Sequence, residues 1–340
     1  MRKLLLSIIV LAGLVPESEA QDFHYSQFYA APLYLNPALA GSTELSRVGV
    51  NYRKQWPGLD QDFNAYSAYF DHYSFDLRSG MGISVNSFQE TNFKVNTSDV
   101  SFYYSYNLQI AESWNFRMGT QASIVRRSAA LDNLVFGDQV DLFNRTISQS
   151  TMDALPDFDP YSYVDISFGG LLTGESFWLG SSFHHVNEPH LSYYPDDENG
   201  YLPIKWSIHG GWNFPLGANQ YFGSKYDNMA SVMVNYKKQG AFQQLDVGTQ
   251  LLYRSVISGI SYRGIPGLRD MPNMDSIIFM LGLKLESGMV IGYSYDFMVS
   301  NIGSQTKGAH ELSIRYQFLM GDPRHRNQRS RMLKCFDFMM

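Results

Sequence analysis

Three sets of side chains have the composition of a reactive site. His184, His185, Glu188 and His190 offer the imidazole and carboxylate donors of a metal centre. His184 and His185 are neighbours on a predicted strand, where consecutive side chains point to opposite faces, so shared ligation is poor. Ordinary polar residues at a strand end and loop are the favoured reading. Asp153, Asp157 and Asp159 offer oxygen donors of the kind calcium takes, but the glycine and closing glutamate of an EF-hand loop are missing. Serine, histidine and carboxylate residues occur as in any chain, with no nucleophile-elbow motif around a serine. The chain therefore reads as non-enzymatic, with no cofactor, no metal and no small-molecule substrate. The remaining charges of interest are Arg53, Arg117, Arg126, Glu311 and Arg315. They are predicted to share the polar interior of a closed sheet as a salt-bridged network, with a role in selectivity as the alternative.

The elements that must position them are strands. In His310-Glu311-Leu312-Ser313-Ile314-Arg315-Tyr316-Gln317-Phe318, the residues His310, Leu312, Ile314, Tyr316 and Phe318 fall on one face. Glu311, Ser313, Arg315 and Gln317 fall on the other, because side chains alternate along a strand. The pattern returns about every twenty residues from residue 47 onward. About fourteen strands are predicted, over 47–54, 65–72, 80–88, 100–109, 115–126, 164–172, 177–185, 205–214, 230–236, 243–253, 256–263, 277–285, 289–297 and 310–318. The connections between them alternate short and long, as in an outer-membrane barrel with short periplasmic turns and long external loops. That alternation predicts a transmembrane antiparallel β-barrel with both termini in the periplasm. The long connection 215–229 falls on the side that should be short.

Composition agrees. Charged residues are 17% of the 340 and aromatics 15%, which suits a lipid-facing band with aromatic girdles. The mean hydropathy of -0.23 fits a barrel, in which only half of each strand faces lipid. No stretch approaches the length of a transmembrane helix. A net charge of -6 argues against a nucleic-acid partner, and the single cysteine, Cys335, excludes an intrachain disulfide framework.

Residues 1–20 begin Met1-Arg2-Lys3, run apolar from Leu4 to Val15 and end Ser18-Glu19-Ala20, the layout of a secretory signal peptide. Residues 21–43 are aromatic and contain Pro32 and Pro37, with a turn at Asn36-Pro37-Ala38. They are expected either to plug the lumen or to cover its periplasmic mouth. Residues 44–318 form the barrel. In the periplasmic tail, 319–340, five of the eleven residues from 324 to 334 are basic: Arg324, Arg326, Arg329, Arg331 and Lys334. This run is a candidate partner-contacting segment, or a disordered end.

These residues resemble the PorP/SprF family of outer-membrane proteins, which serve type IX secretion and gliding motility. The resemblance lies first in Gln27, in the turn Asn36, Pro37, Ala38 and Gly41, and in Tyr52, Arg53, Gln55 and Trp56 followed by Pro57-Gly58. It continues through Val135-Phe136-Gly137-Asp138-Gln139, Tyr262-Arg263-Gly264-Ile265-Pro266, Tyr293-Ser294-Tyr295-Asp296-Phe297 and His310-Glu311-Leu312-Ser313-Ile314. The tail departs from the family pattern, with Cys335 standing after the basic run. The resemblance implies a non-enzymatic platform that joins periplasmic secretion-ring components to a secreted adhesin, in contact with outer-membrane lipids. The alternative is a passive porin or a hydrophobic-substrate transporter resembling the fatty-acid transporter barrels.

Overall fold

The structure, a computed structural model, describes residues 22–92, 94–129, 137–141, 146–148, 159–191, 200–216, 228–265, 276–299 and 303–320. The signal peptide, the basic tail with Cys335, Asp153, Asp157, and the Val135-Phe136 and Pro266 positions of the family motifs lie outside the described residues.

The strands in chain order are β1 (Ser46–Gln55), β2 (Phe63–Ser74), β3 (Ser79–Glu90), β4 (Asn96–Ala111), β5 (Trp114–Ser128), β6 (Val140–Asp141), β7 (Thr146–Ile147) and β8 (Tyr161–Thr173). They continue as β9 (Phe177–His184), β10 (Lys205–Pro215), β11 (Met229–Gln239), β12 (Phe242–Tyr253), β13 (Val256–Arg263), β14 (Ser276–Lys284), β15 (Met289–Met298) and β16 (Ala309–Phe318). Fourteen of them close into an antiparallel barrel in which each strand pairs with its sequence neighbour. The pair β6–β7 is a separate small ladder in the connection between β5 and β8. The barrel closes where β1 meets β16, in an unbroken register from Ser46↔Phe318 to Gln55↔Ala309.

Closure follows from the alternation. On β16, Leu312, Ile314 and Tyr316 face outward, while Glu311, Ser313 and Arg315 are buried inward. A cation aimed at lipid near the bilayer midplane costs about 2–4 kcal/mol, so mid-strand charges turn inward. The outer wall carries aromatic groups at both ends. At one end Trp114 meets Phe177 edge to face at 5.0 Å, and Phe177 stacks on Trp212 at 5.7 Å between ring centroids. Tyr52–Tyr66 at 5.1 Å and Trp206–Tyr236 at 5.3 Å stand at the other. No helix among the described residues is long and apolar enough to cross a membrane.

The turns 75–78, 112–113, 174–176, 254–255 and 285–288 gather at one end of the barrel, called the turn end below. The connections 129–160, 185–204, 264–275 and 299–308 gather at the other, the loop end. Two connections break the alternation: 216–228 is long at the turn end, and 240–241 is short at the loop end.

A barrel of eight strands is filled by its own side chains, and one of sixteen or more encloses a channel. Fourteen strands leave a lumen too wide for side chains alone, and residues 22–45 occupy it. The segment contains the helix Pro32–Leu35 and a 3-10 turn, Pro37–Leu39. Ala38 and Leu39 are fully buried against Leu171, Trp178, Met233 and Leu252, while Leu33 and Ala40 pack on Tyr69 and Tyr103. Of the two expected placements, plug and cover, the described chain takes the first.

Two expectations need correction. The segment starts at the loop end, where the Asp22 amide donates to Gln239 Oε1 at 3.0 Å. It then runs down the lumen to Gly41 beside the 75–78 turn. The described chain thus begins and ends at opposite mouths, because a lumen-threading segment must enter at the far end before β1 climbs back. Arg126, expected inside, points outward: in β5 the inward positions are Arg117, Gly119, Ser123 and Val125, and Arg126 falls one residue out of step.

Candidate functional site

The contacts between plug and inner wall form the most concentrated polar site among the described residues. They fall into four levels from the loop end downward. The topmost is a latch on Asp22. Its carboxylate accepts from His185 Nε2 at 2.7 Å and pairs with Lys205, while Gln239 Nε2 donates to it at 3.3 Å. His185 Nδ1 meets Asp165 Oδ1 at 3.0 Å, so the imidazole is clasped between two carboxylates. Burial alone would disfavour the imidazolium, but Asp22 and Asp165 outweigh it and raise the His185 pKa from 6.5 to about 9. His184 and His185 do not diverge as their adjacency suggests. β9 ends at His184, and His185 takes a φ of +59°, which swings it back inward. His184 faces Leu35 O at 3.3 Å, so the two histidines serve different partners.

Below the latch lies an ion network. Arg53 Nη2 is 2.8 Å from Asp296 Oδ2 and Nη1 is 3.3 Å from Glu311 Oε2. Arg263 bridges Asp246 at 2.8 Å and Asp296 at 2.9 Å. The plug is part of this network. Glu311 accepts the backbone amides of Ser26 at 2.7 Å and Gln27 at 2.9 Å, and Ser26 Oγ donates to Asp296 at 2.6 Å. Buried charges of this kind persist when their remaining lone pairs and protons are satisfied, and the plug backbone supplies part of that. The Gln27 side chain donates to Ser294 Oγ and Glu311 O at 3.2 Å each and accepts from Ser313 at 2.7 Å.

The third level is a knot around Asn36, which is fully buried. Its Nδ2 donates to Gly170 O at 3.0 Å and Ser181 O at 3.1 Å and lies 3.2 Å from His209 Nε2. Its Oδ1 accepts the Ala38 amide at 2.8 Å, capping the 3-10 turn. Pro37 at the first position of that turn fits because its missing N–H would have no partner there. The wall makes room with glycine. A Cβ on Gly169 would stand 1.9 Å from Asn36 Oδ1, and one on Gly119 would stand 2.2 Å from the Ala38 nitrogen.

At the turn end, Asp71 accepts the Gly41 amide at 2.6 Å and binds Arg47 through both oxygens, at 2.8 and 2.9 Å. Gly41 has a φ of +63°, and a Cβ there would press to 2.7 Å from the Gly80 backbone. Arg117 reaches Gly41 O at 3.2 Å and Glu44 at 3.4 Å.

The turn motif Asn36, Pro37, Ala38 and Gly41 is thus gathered into one lumen-spanning unit. The second motif is divided. Arg53 and Gln55 face the lumen, Tyr52 stacks on Tyr66 outside, and Trp56 sits past the strand end beside Phe63 at 5.6 Å. Arg324, Arg326, Arg329, Arg331 and Lys334 lie outside the described residues. Asp71, Asp246, Asp296, Arg47 and Arg263 were not singled out by their chemistry. Their signal was available, since each is a charged residue at an inward position of an alternating strand. Among the described residues no three His, Cys, Asp or Glu side chains are grouped to hold a metal.

Between the plug and the wall at the loop end lies a cavity of about 720 Å³, with Phe23, Tyr34, Trp56 and Phe88 opposite Asp99, Arg127 and Asp165.

An apolar outer wall between aromatic girdles, closed around a polar and plugged lumen, defines an outer-membrane β-barrel protein. The fold resembles, among solved structures, the outer membrane protein Omp33 of Acinetobacter baumannii, at 6% identity and a TM-score of 0.44 over 81% of this chain and 98% of that one. It also resembles a Pseudomonas aeruginosa FadL homologue (12%, 0.45, over 85% and 94%) and a mutant of the monoaromatic hydrocarbon channel TodX (11%, 0.49, over 84% and 92%). At such identities and scores the likeness carries no functional argument. None of the curated proteins compared matches the chain. The model of the family described as type IX secretion system membrane protein PorP/SprF matches residues 17–316, and the chain belongs to that family.

Proposed function

We propose that this protein is a docking platform of type IX secretion, joining periplasmic secretion-ring components at its turn end to a secreted adhesin at its loop end. The observation that supports this reading is the plug: four successive levels of buried contacts tie it across the lumen, so the surfaces on offer are the two mouths. Short turns facing the periplasm and long loops facing outward would follow the usual orientation of such barrels. On this reading the basic run Arg324, Arg326, Arg329, Arg331 and Lys334, which comes after β16 in the sequence, is a cationic contact for an acidic periplasmic partner.

The test is a mild-detergent pull-down of the tagged protein from native membranes, with mass spectrometry of what accompanies it. Recovery of secretion-ring components or one large surface adhesin, lost when residues 321–340 or the 129–160 loop are deleted, supports the platform.

A second reading, passage of a hydrophobic substrate, has one observation in its favour. The loop-end cavity is continuous with the plug, and beside it the β8–β9 ladder is only six pairs long, from Phe168↔Phe183 to Thr173↔Trp178. A barrel recovered alone that takes up lipid after reconstitution would favour that reading over the platform.

A further inference from the structure

Among the described barrel strands, every Asp and Glu points to the lumen, while the outward-facing charged positions are Lys54, Arg126 and Lys238. All three stand in the last turn of their strands at the loop end. The charges that the strands themselves turn outward are therefore of one sign and are gathered toward the loop end.

Beneath Lys54 the outward side chains are layered. Lys54 pairs in register with Asn64, and Asn64 with Gln89, which makes a polar row. Tyr52, Tyr66 and Ser87 form the next row, with the Tyr52 hydroxyl donating to Asn64 Oδ1 at 3.1 Å. Val50, Ala68 and Val85 follow. Ala68 is the smallest side chain in that grid, and over it lies an outward groove of about 380 Å³ bounded by Tyr52, Tyr66, Val50, Val85, Leu312 and Ile314. Lys54 Nζ is held 2.8 Å from Asp62, but its side chain remains 38% exposed. An ammonium has three donors, so capacity is left for an anion.

We propose that this groove is a binding site for a phosphate-bearing glycolipid of the outer leaflet. One acyl chain lies over Ala68, the phosphate meets Lys54, and sugar hydroxyls meet Asn64 and Gln89. Charge complementarity selects an anionic headgroup, and the aromatic row sets the depth at which acyl chain gives way to head. The assignment to the outer leaflet rests on the orientation given under Proposed function. The binding itself does not, so the two can fail separately.

The test is native mass spectrometry of the delipidated full-length protein in detergent, titrated with diphosphoryl lipid A or with phosphatidylethanolamine. One lipid A molecule is expected to be retained in preference to phosphatidylethanolamine. Ala68→Phe, which fills the groove from the lipid side, should lower retention about tenfold, and Lys54→Gln several-fold. Lys238→Gln, on β11 and six strands from β1 around the barrel, should leave retention unchanged. The heat-modifiable gel mobility of each variant verifies a folded barrel. Equal retention by Ala68→Phe and wild type, or equal retention of the two lipids, overturns the proposal.

Discussion

Asn36 is the residue on which the plug turns, because one side chain ties three wall strands to the 3-10 turn. Asn36→Ala should cost the plug about 1–3 kcal/mol, the usual penalty for polar partners left unmet in a buried site. Hydrogen exchange should accelerate at residues 30–41, with the barrel strands still protected, since their ladders do not depend on the plug. Gly169→Ala attacks the same contact from the wall, where the new Cβ would meet Asn36 Oδ1 at 1.9 Å. Combining it with Asn36→Ala should therefore cost less than the sum of the two alone, in a double-mutant cycle read by guanidinium unfolding. Arg47 and Asp71 have side chains with no exposure at all. Asp71→Asn leaves a buried guanidinium without its anion and should destabilise by about 3–5 kcal/mol. Replacing both by leucine should recover part of that loss.

At the scale of elements, the plug is a strap with its weakest fastening at the loop end, where only Asp22 and its neighbours hold it. His185 has a folded pKa of about 9 against 6.5 when free. A group raised in this way contributes stability that is full below its unfolded pKa and lost as pH rises through the folded value. Exchange at residues 22–27, corrected for intrinsic rates, should therefore be slow below pH 6.5 and should quicken through about pH 9. His185→Gln should flatten that profile, and an unchanged profile in the variant would remove His185 from the latch.

The strands themselves were legible because lipid on one side and polar lumen on the other force a period of two. The fourteen predicted segments all coincide with barrel strands, and the inward and outward sets on β16 agree residue by residue. The alternation could not show where it lapses. Arg126 stands one step out of phase with the inward set of β5, and the positive φ of His185 abandons the strand geometry that its neighbours keep. The plug's course was also illegible, since a segment without periodicity gives no direction. Its partners are wall residues as far as 286 positions away in sequence, as with Gln27 and Ser313.

For the whole molecule, the closed ladder and the plugged lumen bear on function together. A porin needs water through the barrel, whereas here the N-terminal segment is bound to the wall from mouth to mouth. A platform needs a rigid anchor with two distinct ends, and the long loops and short turns give it those. The connection 216–228, long at the turn end, is on this reading a further contact with periplasmic partners. Deleting residues 217–227 should weaken co-purification of ring components without changing the barrel's unfolding midpoint.

The most direct test of the plugged barrel is single-channel conductance in planar bilayers. Asp22→Ala combined with Asn36→Ala serves as the opened control. The intact protein should insert without a steady current, and the loosened variant should flicker to open levels. A stable, ohmic conductance from the intact protein, equal to that of the variant, would contradict a closed lumen and with it the platform reading.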